Sequence, residues 1–177
     1  MSVFSSKTIG SFSLACLLGT ILLGSTTWAA RGRPQIDASL GYNIILSDKQ
    51  TLLRGVSISF DGGDPYGSLP VVVPTQSQLN ALAKNYGLNA LHLYLEGDSA
   101  GAEGNNNSIG YNAVACDTLV QRCADAGLYL IITIGCNGKN GQMNLEWSQR
   151  FWNFYGPRYK DQTHVIYEAH NEPAPNT

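Results

Sequence analysis

The residues best suited to chemistry stand near the end of the chain, where Asn171, Glu172 and Pro173 follow a largely apolar run over residues 163–169. That run reads as a buried strand. A carboxylate at the carboxyl-terminal mouth of such a strand, beside a side-chain amide, suits the cleavage of a glycosidic bond. One carboxylic acid must protonate the leaving oxygen and then, as the base, activate water. A partly dry mouth can raise the acid's pKa enough for the first of those steps. Taken alone, a glutamate before a proline equally describes a helix-starting turn. Four residues earlier, Glu168 shares the same side of the strand and reads as an interior, hydrogen-bonded carboxylate. His170 either lines the site beside the pair or is a packed imidazole. Asp61, Asp64 and Asp98 fall in mouth loops and read as solvated. Phe60, Tyr66 and Tyr94 are placed either to stack on sugar rings or to fill a core.

Positioning such a site takes a series of strands and helices. Residues Gln35 to Gln50 read as a short hairpin with Ser47-Asp48-Lys49 as its turn, and Thr51 to Phe60 as a first core strand. Thr75 is expected to cap a helix carrying Leu79, Leu82 and Ala83 on one face and ending at Gly87. Leu88 to Leu95 follows as the second strand. After a polar loop, Tyr111 to Ala126 has Val114, Leu119, Cys123 and Ala126 near one helical face, with Gly127 as the stop. Leu128 to Ile134 is almost wholly apolar, as a strand covered on both faces should be. Asn144 is expected to cap a helix over Leu145 to Tyr159 with Trp147, Phe151, Phe154 and Tyr155 inward; His164 to His170 is the fourth strand. Alternation of this kind predicts a parallel sheet with helical crossovers. A closed eight-stranded barrel takes about 250 residues, so the chain reads as the first half of one, about four β/α units. A doubly wound sheet is the structural alternative, but no glycine-rich phosphate loop follows the first strand.

Residues 1–30 stand apart from this pattern. One charge (Lys7), an apolar stretch from Phe12 to Leu23 and small residues around Trp28 describe a secretory signal peptide, with cleavage after Ala29 or Ala30. Cys16 precedes most of the apolar run and Ser13 is a poor match before it, which argues against a lipoprotein signal. The product is expected to be periplasmic or secreted. A formal charge of −2, without blocks of like charge, makes nucleic acid and anionic membrane poor partners. Beyond residue 30 the cysteines are Cys116, Cys123 and Cys136, an odd number with no zinc-site spacing. Cys116 begins a helix and Cys136 follows a strand, so both are expected at one face, close enough to pair.

The motifs carry a resemblance. Leu53-Arg54-Gly55-Val56-Ser57, Gly87-Leu88-Asn89-Ala90-Leu91, Ala126 to Ile132 and Val165 to Pro173, which ends Tyr-Glu-Ala-His-Asn-Glu-Pro, resemble the first four strand regions of glycoside hydrolase family 5, the cellulase and mannanase family. The match runs from Leu53 to Pro173. It implies a (β/α)8 barrel, here in its amino-terminal half, and a retaining hydrolase of β-linked polysaccharide such as cellulose, β-glucan or mannan. Glu172 is then the acid/base, and Asn171 the group that hydrogen-bonds the sugar 2-hydroxyl. His92, His170 and Tyr94 are further candidate substrate contacts, and neither cofactor nor metal is implied. When complete, the barrel is expected to be monomeric. Two departures stand out. His92 occupies a position where the family usually carries arginine, and Thr133-Ile134-Gly135 stands where relatives usually show Asp-x-His. The nucleophile, a second glutamate on strand seven, is expected beyond Thr177, so the chain alone should be inactive. The alternatives are a barrel that binds glycans without cleaving them and a pair of half-barrels completing one another.

Overall fold

The computed structural model describes residues 31–39, 41, 43–60, 71–97, 109–135 and 144–171. The expectations placed on residues 1–30, Asp61, Asp64, Tyr66, Asp98, Cys136 and Glu172 lie outside the described residues. A small antiparallel pair, β1 (Gln35–Asp37) and β2 (Ile44–Leu46), precedes a four-stranded sheet. That sheet consists of β3 (Gly55–Ser59), β4 (Ala90–Tyr94), β5 (Tyr129–Thr133) and β6 (Val165–Glu168), all parallel and in sequence order. Helices α1 (Gln76–Asn85), α2 (Ala113–Ala126) and α3 (Leu145–Tyr159) fill the three crossovers. These are four consecutive strands of a (β/α)8-type barrel, not a doubly wound sheet.

Strand alternation decides which residues meet the helices. Leu91, Leu93, Leu95, Leu130, Ile132 and Ile134 are fully buried in one cluster with Leu79, Leu119, Phe151 and Tyr155 of the helices. Each such side chain contributes about 1.5–3 kcal/mol by leaving water. Residues at the intervening positions, Ser57, His92 and Ile131, face the other way and lie side by side in register. The helix ends follow local chemistry. Thr75 and Gln78 form a reciprocal capping box on α1, and the Asn144 side chain accepts from the Trp147 amide on α3. Gly127 ends α2 in the left-handed region, φ 70°, with its N–H directed at the carbonyls of Cys123 and Ala124.

Three expectations are corrected. The hairpin's strands pair up to Asp37 and Ile44, so its turn lies between those two residues and not at Ser47-Asp48-Lys49; the latter makes a tight turn that returns Leu52 to an antiparallel bridge with Leu46. The Ser47 and Thr51 side chains, 2.7 Å apart, hold that turn. Val114 is 79% exposed, because it stands two and a half turns before Cys123 on α2 and so faces away from the core. Phe154 is 39% exposed and lies over Gly110 in the lead-in to α2. Cys116 and Cys123 are buried, and burial pushes both thiols up to about 12. The proposed partner of Cys116 is outside the described residues.

The amino-terminal segment closes the lower end of the sheet. The Tyr129 hydroxyl donates to the Gly32 carbonyl and accepts from the Asp48 amide, while Arg31 Nε donates to the Gly127 carbonyl. Strand β3 lies so near β4 that a methyl group on Gly55 would stand 2.2 Å from the Ala90 carbonyl oxygen. Gly55→Ala should therefore force the first two strands apart and cost about 3 kcal/mol, near the top of the usual range for overpacking. A drop in the urea midpoint with an unchanged m-value is the expected reading; an unshifted midpoint would show that the strands yield freely.

Candidate active site

The inward face of β3 to β6 gathers three of the residues singled out from sequence, His92, Tyr94 and Glu168. Gly55, Ser57, Ala90, His92, Ile131 and Glu168 line an open groove of about 230 Å³. Nε2 of His92 lies 2.5 Å from Oε2 of Glu168. Glu168 thus makes the hydrogen bond expected of it, but its side chain is 36% exposed, more open than an interior carboxylate. The Tyr94 ring, one pleat above His92, tilts against the imidazole with centroids 4.7 Å apart. Tyr94 is half-buried and sits at the mouth, whereas Phe60 is 2% exposed and belongs to the core.

Beyond the end of β6 the chain turns. The Ala169 carbonyl accepts from Trp152 Nε1 on α3. His170 lines a groove of about 620 Å³ with Leu145, Ser148 and Trp152, on the α3 side of the sheet, and its Nδ1 bonds the Asn171 carbonyl at 2.8 Å. The structure therefore brings His92, Tyr94 and Glu168 together, turns His170 toward α3 and leaves Asn171 with its carbonyl against the His170 ring. Among the described residues no three His, Cys, Asp or Glu side chains converge as a metal site.

Sequence reading passed over Glu96, which organises the mouth from below. Although fully buried, it accepts from the backbone amides of Gly110 and Asn112 and from the Tyr155 hydroxyl, the last at 2.5 Å. Burial raises its carboxyl above the ordinary 4.5, against the lowering effect of those donors. Asn112, the N-cap residue of α2, makes no side-chain capping bond and sends Nδ2 to the carbonyls of Phe60 and Leu95. The ends of β3 and β4 are thereby bolted to the start of α2 and to α3. The available signal was an acid directly after the apolar alternation of β4 and before Gly97. Ending the strand at Leu95 hid it.

Inward-facing polar groups over four parallel strands in sequence order, with helices in the three crossovers, are the architecture of a partial (β/α)8 barrel. The sequence profile of the cellulase family (glycosyl hydrolase family 5) matches residues 45–177, and the chain belongs to that family. Among curated proteins none matches. Among solved structures the catalytic domain of Thermobifida fusca endoglucanase Cel5A superposes with a TM-score of 0.55 at 20% identity, over 80% of this chain and 43% of that one. A variant of that domain in complex with cellotetraose gives 0.56 at 22% identity, with the same coverage. A thermostable, halotolerant cellulase of the family from an Icelandic hot spring isolate gives 0.56 at 20% identity, over 82% of this chain and 42% of its own. At these identities the likeness is one of fold. The chain spans less than half the length of these structures.

Proposed function

We propose that the chain carries the acid/base half of a retaining glycoside hydrolase that cleaves β-linked polysaccharide. Glu172 protonates the leaving oxygen while a second carboxylate attacks the anomeric carbon. Deprotonated in that step, Glu172 then takes a proton from the water that releases the covalent sugar. Asn171 hydrogen-bonds the 2-hydroxyl. Tyr94 offers its ring at the mouth to a sugar. The observation that carries this reading is the arrival of β6, parallel and in register, with His92, Tyr94 and Glu168 meeting on the inward face and Asn171 and Glu172 following three and four residues after the last paired position. The family membership supports the reaction class, and the cellotetraose held by one relative supports a β-glucan as substrate, with mannan the neighbouring possibility. Residues 1–30 are proposed as an export signal, which brings the enzyme to polymers outside the cytoplasm.

A retaining mechanism needs its two carboxyl groups about 5–5.5 Å apart. Among the described residues Glu168 is bonded to His92 and Glu96 is buried beneath the mouth. The family resemblance assigns the nucleophile to strand seven, in the other half of a barrel. On this reading the 177-residue chain alone releases no reducing sugar from β-glucan, and a barrel completed to eight units does so with retention of anomeric configuration. Proton NMR of the first-formed product reads the anomer directly. Inversion, or turnover by the 177 residues alone, would overturn the assignment. The second reading, a barrel that holds glycans uncleaved, is favoured by His92 and by Thr133-Ile134-Gly135, where relatives usually carry other groups. It predicts oligosaccharide binding by the complete barrel without any product.

A further inference from the structure

The contact between His92 and Glu168 joins strands that are not neighbours. His92 is in register with Ile131 of β5, and Glu168 with Thr133, so the carboxylate reaches down one pleat and across β5 to meet the imidazole. With a carboxylate as partner, the ring nitrogen is the donor. The Tyr94 ring also packs against the imidazole. Glu168 is also the last residue of β6 paired with β5. One residue later, Trp152 Nε1 holds the Ala169 carbonyl at 2.9 Å from the helix side. The end of β6 is thus gripped from both faces of the sheet, immediately before Asn171 and Glu172.

We propose that His92 is a positioning residue that acts through Glu168. The pair sets the height of the end of β6, and with it Asn171 and Glu172, instead of touching the sugar. This inference rests on the acid/base reading of Glu172. A partly exposed side-chain pair of this kind adds little to stability. Its value lies in geometry, because a misplacement of about 1 Å at a reacting group costs about 100-fold in rate.

In the barrel completed to eight units, His92→Ala and Glu168→Ala should each lower kcat on β-glucan by about 10–100-fold, the usual effect of losing a supporting partner. KM should stay within about twofold. The double variant should be no worse than the poorer single one, since both remove the same contact. His92→Gln, which restores a donor near the position of Nε2, should recover most of the loss. In the 177-residue chain itself, Glu168→Ala should shift the ¹⁵N resonance of His92 Nε2. A raised KM at unchanged kcat would make His92 a sugar contact and overturn the proposal. So would multiplicative losses in the double variant, normal turnover in both single ones, or an unshifted resonance. Should His92→Ala fail to fold, His92→Gln paired with Glu168→Gln carries the same comparison: recovered turnover supports the pair, and a rise in KM alone refutes it. Glu172→Gln separates the two readings. If it turns over normally, the acid/base assignment fails. If it is inactive while the His92 and Glu168 variants are not, only the positioning role fails.

Discussion

Turnover of unactivated β-glucan by a barrel completed to eight units should fall by about 10³-fold when Glu172 is replaced by glutamine, the middle of the range for one acid/base group. Glutamine keeps the shape and the hydrogen-bonding reach of the side chain but has no proton to give. A sugar alkoxide is a poor leaving group and needs that proton as the bond breaks. An activated aryl glycoside leaves without it, so the first step on such a substrate should lose far less. The second step then suffers, because water is no longer deprotonated as it attacks the covalent sugar. Azide, which is already a strong nucleophile and needs no base, should restore turnover of the activated substrate and yield the glycosyl azide. The measurement is a pair of kcat/KM values, polymer against aryl glycoside, with and without azide. Equal turnover by wild type and variant on both would show that Glu172 is a turn residue before Pro173.

Removing the buried carboxylate below the mouth should have the largest effect on stability. Glu96→Ala strands three donors, the amides of Gly110 and Asn112 and the Tyr155 hydroxyl, in a fully buried place. Each orphaned group costs about 1–3 kcal/mol, so a loss of about 3–5 kcal/mol is expected, large against the marginal stability of a domain. Glu96→Gln is the sharper probe, because its size is right and its charge is absent. Burial raises the Glu96 carboxyl above 4.5, the value expected when it is unfolded. A raised folded pKa means that the group's stabilising contribution is complete below 4.5 and is lost as pH climbs through the folded value. Wild type should therefore lose its advantage over Glu96→Gln as pH rises from that point. Carboxylates common to both proteins cancel in the difference. Urea unfolding of both from acid to neutral pH reads the effect, and a gap that widens with pH would show that the three donors outweigh burial.

Much of this architecture was legible in the residues. Periods of two and 3.6, capping residues such as Thr75 and Asn144, and stops such as Gly127 are local properties, written in side-chain shape and backbone freedom. That is why α3 is found over Leu145–Tyr159, as its pattern predicts, and why the four strands follow in order. The tripeptide at 171–173 suggests its chemistry only through its place after the fourth strand of the series, since a glutamate before a proline taken alone equally fits a helix-starting turn.

Other features required the folded chain. Nothing in the spacing of residues 92 and 168 says that an imidazole and a carboxylate will meet across an intervening strand; only the register of three strands brings them to 2.5 Å. Glu96 looks like a loop acid until the sheet, α2 and α3 close around it. His170 sits within the motif yet turns toward α3, because regular pairing ends at Glu168 and strand alternation no longer decides where the side chain goes. Sequence patterns report what each residue does with its near neighbours along the chain. Contacts between residues far apart in the chain depend on how strands align and where they end, and those are decided by packing of the whole sheet.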